Sequence, residues 1–315
     1  MNVSKINAPN AATVSQTVIL DFLKKVDFMF PEYTRDAVLE ARVKEAVQLW
    51  ENGDLLRPHL VTAIILTATA HNNIPSLNTK VQITLFTTLI IAIDDPAVFN
   101  ALGVRTFLLK MCTGDIQHNA GMLGEFTKIL GHMWDHYSGF SANTIYASAL
   151  RYINASLLEN DFSGLPLSPD DFRFVEYKRG MRTTTEAYAC FIWEKFRFPD
   201  TKVFMQAVPD VMLYVNYVND ILSFYKEELA GDTDTYIHKR ASVTRKSVPE
   251  TLQAVISDTV ATVERIRDIL GEGEVRDAWE TFAVGYIGAY MVNPRYRLKD
   301  VLGGEYLMDA SAFAS

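Results

Sequence analysis

Polar side chains recur at a fixed interval in a predicted helix over residues 202–229. Asn219, Ser223 and Glu227 follow one another in steps of four. Each step of four rotates the side chain by only about 40°, so all three lie along one helix face. Their amide, hydroxyl and carboxylate oxygens are hard donors, which suit Mg²⁺. The spacing favours a magnesium site, and a solvent-facing polar stripe is the alternative interpretation.

A pair of carboxylates ends a second apolar stretch, residues 79–93. Asp94 and Asp95 follow it directly, and Pro96 stops the helix there. The helix dipole disfavours anions at this end by about 0.3–1 kcal/mol each. A bound divalent cation would offset the misplaced charge. Two solvated acids at an ordinary helix end are the competing interpretation.

Helical periodicity runs through most of the chain, and the alternation typical of strands is absent. Ser168 and Ser247, each followed by Pro and acid, mark helix starts. We expect residues 1–12, which are polar and small, to be disordered, and residues 13–315 to form one all-α domain. The predicted helices span residues 15–26, 33–50, 60–71, 79–94, 98–110, 121–137, 142–159, 168–196, 202–229, 248–270 and 275–292.

The composition of the 315 residues excludes several classes of protein. With 49% hydrophobic residues the chain can build a large core, and a net charge of −8 disfavours nucleic-acid binding. Cys112 and Cys190 form no disulfide framework or zinc pattern, which favours a reducing compartment. The first 13 residues lack the order of a signal peptide, and the apolar stretch 81–93 is too short to span a bilayer. We therefore expect a cytoplasmic protein.

The motifs together resemble the class I terpene synthases, and within them the trichodiene synthase family of fungi. Segment 219–227 resembles the family's second metal-binding motif, and Asp94-Asp95 falls where its aspartate-rich motif belongs. Segment 177–183 is similar to the one that carries the diphosphate-sensing arginine. Segment 293–297 is similar to the family's C-terminal Arg-Tyr pair. All four elements occur in the family's order.

The resemblance implies a single-domain helical bundle around an apolar cavity. It implies a sesquiterpene synthase, which uses three Mg²⁺ ions to ionise and cyclise farnesyl diphosphate and releases diphosphate. Asp94 would hold two of the ions, with Asp95 and Asp220 as hydrogen-bond partners behind the metal ligands. The third ion would be held by Asn219, Ser223 and Glu227.

The resemblance also assigns residues to the leaving group and to the cavity wall. The residues expected to donate hydrogen bonds to diphosphate are Arg179, Lys226, Arg295 and Tyr296. Segments 295–296 and 231–242 are candidate lids over the cavity mouth. Aromatic ring faces stabilise carbocations, so the cavity wall must carry some. The candidates for this wall are Phe86, Thr183, Phe191, Trp193, Tyr214 and Tyr217.

The chain departs from the family pattern at two places, and two other functions stay open. Pro96, Ala97 and Val98 follow Asp95 where another acid is usual, and Arg182-Thr183 stands where a small residue or Gly is frequent. A prenyl diphosphate synthase-like transferase is one alternative, although that class uses two aspartate-rich motifs. The other is an inactive helical isoprenoid-binding protein. The expected partner is a small isoprenoid diphosphate, and a homodimer is possible.

Overall fold

The computed structural model describes residues 8–51, 53–115, 121–161 and 164–308. These residues form helices joined by short turns and contain no β-strand. The all-α prediction is therefore confirmed. Within the described ranges the α-helices are α1 (Ala8–Lys25), α2 (Ala37–Gln48), α3 (Arg57–Ala70), α4 (Leu77–Ile93), α5 (Pro96–Ala101), α6 (Phe107–Thr113), α7 (Met122–His136), α8 (Gly139–Asp161), α9 (Phe172–Met181), α10 (Thr185–Phe191), α11 (Val208–Ala230), α12 (Tyr236–Thr244), α13 (Val248–Leu270), α14 (Glu274–Met291) and α15 (Lys299–Leu302).

Side-chain caps fix where several of these helices begin. The Ser247 hydroxyl accepts from the backbone N–H of Glu250 at 3.3 Å, and the Glu250 carboxylate accepts from the backbone N–H of Ser247 at 2.8 Å. This reciprocal capping box satisfies two N–H groups that would otherwise lack a helical partner. Ser168 forms a second capping box with Asp171, ahead of α9. Both starts predicted from the sequence are confirmed.

Two long predicted helices are broken in the structure. The helix expected over residues 98–110 divides into α5 and α6, because Gly103 takes a left-handed conformation with φ of +64°. The helix expected over 168–196 starts with a 3₁₀ turn and breaks at residues 182–184, between α9 and α10. Periodicity alone does not show a break when apolar residues continue in register on both sides of it.

Two segments expected to be irregular contain helix. Residues 8–12, predicted as disordered, are helical and belong to α1, while residues 1–7 lie outside the described part of the chain. The candidate lid 231–242 contains the start of α12, which Thr235 caps by accepting from the backbone N–H of His238. Tyr236 and Ile237 are buried against the bundle. This packing stabilises the segment as a helix rather than a loop.

Helices α4 and α11 are central, as their apolar composition predicts. Helix α4 packs against α2, α3 and α7, and α11 packs against α1, α10, α13 and α14. Helix α10 connects the two halves, because it contacts both α8 and α11. The helices that carry the predicted metal ligands therefore belong to one helical assembly.

Two glycines let other parts of the chain approach α14 closely. A Cβ atom on Gly285 would lie 2.2 Å from the Thr69 carbonyl oxygen of α3. A Cβ atom on Gly288 would lie 2.2 Å from the Tyr33 hydroxyl, which donates to the carbonyl oxygen of Val284 at 3.3 Å. Glycine is required here because any side chain would displace the neighbouring backbone or ring.

Among the described helices, none combines the length and the apolar composition that crossing a membrane requires.

Candidate active site

A cavity of about 350 Å³ lies among α3, α4, α8, α9, α11, α12 and α14. Part of its wall is apolar or aromatic and includes Leu66, Ile90, Ile91, Val215 and Ala289. The rest is charged. The cations that line it are Lys178, Arg179, Arg182, Lys226, Lys239 and Arg295.

The predicted Asn-Ser-Glu set lies along one face of α11. Asn219 and Glu227 line the cavity, and Ser223 is buried behind them. The Ser223 hydroxyl donates to Glu227 Oε1 at 2.6 Å. The Asn219 amide oxygen accepts from Arg179 Nη2 at 3.1 Å. The geometry thus brings an amide and a carboxylate side chain to one edge of the cavity, and the Ser223 hydroxyl reaches it only through its hydrogen bond to Glu227.

The two aspartates after α4 have different surroundings. Asp94 is exposed and lines the cavity. The Asp95 carboxylate accepts from the backbone N–H of Ala97 at 2.8 Å and caps α5. The sequence predicts Asp95 as a partner of the metal ligands, whereas its observed hydrogen bond stabilises a helix start. The reason is that Pro96 begins a new helix directly, so Asp95 stands at its N-cap position.

The donor set fits a hard cation. Within the described residues, no three His, Cys, Asp or Glu side chains are grouped closely enough to hold a metal ion. A metal at this cavity would therefore depend on the mixed oxygen donors of α11 together with Asp94. Oxygen-only ligation of this kind suits Mg²⁺ and excludes a zinc site built on Cys or His. The residues present fit the predicted magnesium ions on these chemical grounds.

Arg179 uses its Nε and Nη2 groups within the protein. Its guanidinium contacts both oxygens of Asp220, at 2.9 and 3.0 Å, and donates to the backbone oxygen of Asn216 at 2.7 Å. Burial raises the pKa of Asp220 to about 7, although the positive charge of Arg179 opposes this shift. Asp220 thus lines the cavity itself and orients Arg179.

Sequence reasoning did not assign a site role to Arg182. It lies at the break between α9 and α10, lines the cavity, and pairs through Nε with Glu159 of α8 at 2.9 Å. Burial lowers the pKa of Arg182, but its acidic neighbours Glu159, Asp94 and Glu227 together raise it above its ordinary value. Arg182, like Lys226, is therefore a positive charge that interacts with acids of both predicted metal-binding regions. Its position after Arg179 at a helix end was the only sequence signal.

The C-terminal pair reaches α11 at the cavity. Lys226 Nζ lies 3.8 Å from Glu227 Oε1 and 5.7 Å from the ring centroid of Tyr296. Burial lowers the pKa of Lys226, while the charge of Glu227 opposes this. Arg295 lines the cavity, is exposed, and makes no ion pair with any other described residue. Lys226, Arg295 and Tyr296 are thus brought together as predicted, and the cationic groups face the cavity.

Five of the six predicted wall residues do not line the cavity. Thr183 does, and its hydroxyl donates to Asn216 Oδ1 at 2.7 Å. The other five face neighbouring helices, where their rings and hydroxyls find partners. The residues that belong to the core are Phe86, Phe191, Trp193, Tyr214 and Tyr217.

The contacts of these aromatic residues explain why they lie in the core and not on the cavity wall. The ring centroids of Phe86 and Phe191 are 5.2 Å apart, and Trp193 stacks on Phe204 at 4.6 Å. The Tyr214 hydroxyl donates to the Ala283 carbonyl oxygen at 2.7 Å, and the Tyr217 ring stacks behind that of Tyr236. The observed aromatic wall consists of tyrosines instead. They are Tyr152, Tyr188, Tyr236, Tyr286, Tyr290 and Tyr296.

A helical bundle that joins an Asn-Ser-Glu helix, an aspartate-ended helix and clustered cations at one cavity is the architecture of a class I terpene synthase. Comparison with known families agrees, since the family model described as trichodiene synthase (TRI5) matches residues 47–313. The chain belongs to the trichodiene synthase family.

Similar proteins are named as terpene synthases. The chain is 61% identical to Monoterpene synthase 25 of Postia placenta, over 94% of this chain and 90% of the relative. It is 42% identical to Terpene synthase 29 of the same fungus, over 92% and 85% of the two chains. It is 28% identical to Longiborneol synthase CLM1 of Gibberella zeae, over 94% and 90%.

Proposed function

We propose that this chain is a sesquiterpene synthase that ionises and cyclises farnesyl diphosphate in the presence of Mg²⁺ and releases diphosphate. The observation that carries the proposal is the composition of one cavity. It combines the oxygen donors of α11 and Asp94 with the cations Arg182, Lys226 and Arg295 and with a wall of tyrosines. This combination suits a substrate with an anionic head and an apolar tail.

The cations of the chain bind the head of the substrate. Arg295 and Lys226 are in place to donate hydrogen bonds to phosphate oxygens, and an arginine fork can contact two of them at once. Negative charge on these oxygens grows as the carbon–oxygen bond breaks, so the donors stabilise the transition state more than the bound substrate. Asp94, Asn219, Ser223 and Glu227 would hold Mg²⁺, which when bound would supply further positive charge to the leaving group.

The apolar and aromatic wall protects the cation that ionisation leaves behind. Water would capture an allylic cation, so the cavity must exclude it. The faces of tyrosine rings stabilise positive charge by about 0.5–2 kcal/mol each. The rings of Tyr286 and Tyr290 and the side chains of Ile90 and Val215 line the same cavity as the charged groups. Loss of a proton from the cyclised cation would complete the reaction.

Geranyl diphosphate is a second candidate substrate. The specific observation that favours it is the 61% identity to a protein named as a monoterpene synthase. Geranyl diphosphate has the same anionic head and a shorter tail, so the metal and cation sites would serve both substrates equally. The two candidates differ only in how the apolar wall is filled.

Incubation with each substrate tests the proposal. The purified chain is supplied with farnesyl or geranyl diphosphate, with Mg²⁺ or with a chelator, and hydrocarbon products and released diphosphate are measured. We expect a cyclic hydrocarbon from farnesyl diphosphate with Mg²⁺ and none with the chelator. Product from geranyl diphosphate alone would assign the shorter substrate. Chain elongation after addition of isopentenyl diphosphate would indicate the transferase, and binding without turnover would indicate the binding protein.

Glu227→Gln provides the matched inactive control. The variant keeps the size and hydrogen-bonding capacity of the side chain but loses the charge that would hold Mg²⁺. We expect turnover to be nearly abolished while the circular dichroism spectrum is unchanged. Full activity in this variant would contradict the assignment of a metal site to α11.

A further inference from the structure

A chain of hydrogen bonds leaves Asn219, crosses to α14 and returns to α11. Asn219 Nδ2 donates to the Tyr290 hydroxyl at 2.9 Å. The hydroxyls of Tyr290 and Tyr286 are 2.9 Å apart, and the Tyr286 hydroxyl lies 3.3 Å from the Val215 carbonyl oxygen. Both tyrosines are nearly buried, at 4% and 5% exposure, although they contribute to the cavity wall.

The end of this chain fixes the direction of every bond in it. The carbonyl oxygen of Val215 can only accept, so the Tyr286 hydroxyl donates to it. The single proton of Tyr286 is then used, and Tyr286 must accept from Tyr290. Tyr290 has likewise given its proton, so it can only accept from Asn219.

The other side of the Asn219 amide is fixed as well. Arg179 Nη2, 3.1 Å from Asn219 Oδ1, can only donate, so the atom facing it must be the amide oxygen. A rotation of the amide by 180° would place an N–H against the arginine and an oxygen against an acceptor hydroxyl. Two independent contacts therefore turn the amide oxygen of Asn219 toward Arg179, which lines the same cavity.

We propose that Tyr290, supported by Tyr286, is a positioning residue that keeps the amide oxygen of Asn219 directed at the metal site. The inference rests on the proposed function, in which Asn219 is a ligand of Mg²⁺. An amide binds a metal ion through its oxygen, and the NH₂ group cannot take the place of that oxygen as a ligand. Partners behind a ligand commonly change metal affinity by about 10–100-fold when they are removed.

Three tyrosine-to-phenylalanine variants test the proposal. Tyr290→Phe removes the acceptor, and Tyr286→Phe removes only the group behind it. Tyr188→Phe is the matched control, because Tyr188 also lines the cavity but its hydroxyl donates to Thr87 Oγ1 at 3.2 Å, away from Asn219. Thermal melts without Mg²⁺ verify that each variant folds.

The first readout is binding of inorganic pyrophosphate, measured by calorimetry at a series of Mg²⁺ concentrations. We expect Tyr290→Phe to need about tenfold more Mg²⁺ for the same pyrophosphate affinity. We expect a smaller shift for Tyr286→Phe and less than a twofold change for Tyr188→Phe. The second readout is turnover against Mg²⁺, where Tyr290→Phe should raise the apparent KM for Mg²⁺ by a larger factor than it lowers kcat.

Two results would overturn the inference. One is a Mg²⁺ requirement of Tyr290→Phe within twofold of that of Tyr188→Phe. The other is a fall in kcat with an unchanged KM for Mg²⁺, which would indicate a loss of wall packing. Failure of the unmodified chain to bind pyrophosphate with Mg²⁺ would be a different outcome, since it would reject the proposed function itself.

Discussion

Two arginines three positions apart at the end of α9 have different partners. Both line the cavity, but Arg179 is buried and uses its Nε and Nη2 groups on Asp220, Asn216 and Asn219, whereas Arg182 is less buried and pairs with Glu159 through Nε. A guanidinium with two of its three nitrogens already paired has fewer donors left for a new anion. We therefore expect Arg182 to contribute more to diphosphate binding than Arg179 does.

Substitution of Arg182 tests this expectation. Arg182→Gln should weaken binding of pyrophosphate with Mg²⁺ by about tenfold, the effect of losing about 1.4 kcal/mol of charge-assisted hydrogen bonding. Arg151→Gln is the control, because Arg151 is an exposed arginine of α8 paired with Glu186. Calorimetry measures both.

The same substitution leaves the partly buried Glu159 with only its more distant partner, Lys178 Nζ at 3.7 Å, which costs stability. The double variant Arg182→Gln/Glu159→Gln should recover that stability without recovering the affinity. Equal affinities for Arg182→Gln and Arg151→Gln would show that Arg182 has no special role.

The two aspartates at the end of α4 should respond differently to the same change. We expect Asp94→Asn to reduce turnover severely, because Asp94 alone of the pair lines the cavity. Asp95→Asn should be mild, since Asn is also a good N-cap for α5. Asp95→Ala should instead lower the free energy of unfolding by about 1 kcal/mol. Steady-state kinetics and chemical denaturation separate these effects, and the reverse order of activities would contradict the assignment.

Spacing was enough to predict that three oxygen-bearing side chains of α11 share one face, because this depends on one helix alone. Asn219, Ser223 and Glu227 share a face whatever surrounds them. The ion pair between Arg182 and Glu159 depends on how α9 packs against α8, and no local sequence pattern predicts that packing. The cap formed by Asp95 was readable in principle, because an acid before Pro96 at a new helix start is an N-cap signal.

The aromatic wall of the cavity could not be predicted from helical periodicity, because periodicity does not show which buried face of a helix lines a cavity. Periodicity indicates which residues of a helix are buried, but a central helix buries several faces, and only one of them meets the cavity. Phe86 and Phe191 point into the contact between their helices, while Tyr286 and Tyr290 on α14 face the cavity. The direction of each face is set by neighbours distant in the sequence.

Packing of α14 on α3 should depend on Gly285. In Gly285→Ala the new methyl group would collide with the Thr69 carbonyl oxygen, so α14 must shift. We expect the free energy of unfolding to fall by about 1–3 kcal/mol, as for other overpacked contacts. Turnover should fall too, because α14 carries Tyr286 and Tyr290.

Gly131→Ala is the matched control for this substitution. Gly131 is an exposed glycine within α7, and a Cβ atom on it meets nothing within 4 Å. This variant should gain up to about 1 kcal/mol from helix propensity. Chemical denaturation compares the two, and a Gly285→Ala protein as stable as the unmodified chain would mean that α3 and α14 separate without cost.

For the molecule as a whole, one buried histidine should set part of the response to acid. His71 is 1% exposed, it lies between Phe191 and Phe282, and its Nε2 atom has no hydrogen-bond partner in the described structure. Burial lowers its pKa to about 3. Between about pH 6.5 and pH 3 the unfolded chain binds a proton that the folded chain does not, so stability falls as the pH falls.

This loss amounts to about 1.4 kcal/mol per pH unit, or about 2 kcal/mol between pH 7.5 and pH 5. His71→Phe should remove it, because a phenyl ring fits the same aromatic surroundings and does not titrate. Denaturation at the two pH values measures the difference. His132→Gln, at an exposed position, should keep the full acid sensitivity. An unchanged acid response in His71→Phe would assign the loss to other groups.

The Tyr33 hydroxyl, seated over Gly288, ties the start of the chain to the helix that carries Tyr290 two positions later. Trimming the chain past Tyr33 would thus remove a contact of the helix that carries two tyrosines of the cavity wall. A trimmed version that retained every residue lining the cavity could still turn over slowly, and the defect would originate about 250 positions away from the helix where it is felt.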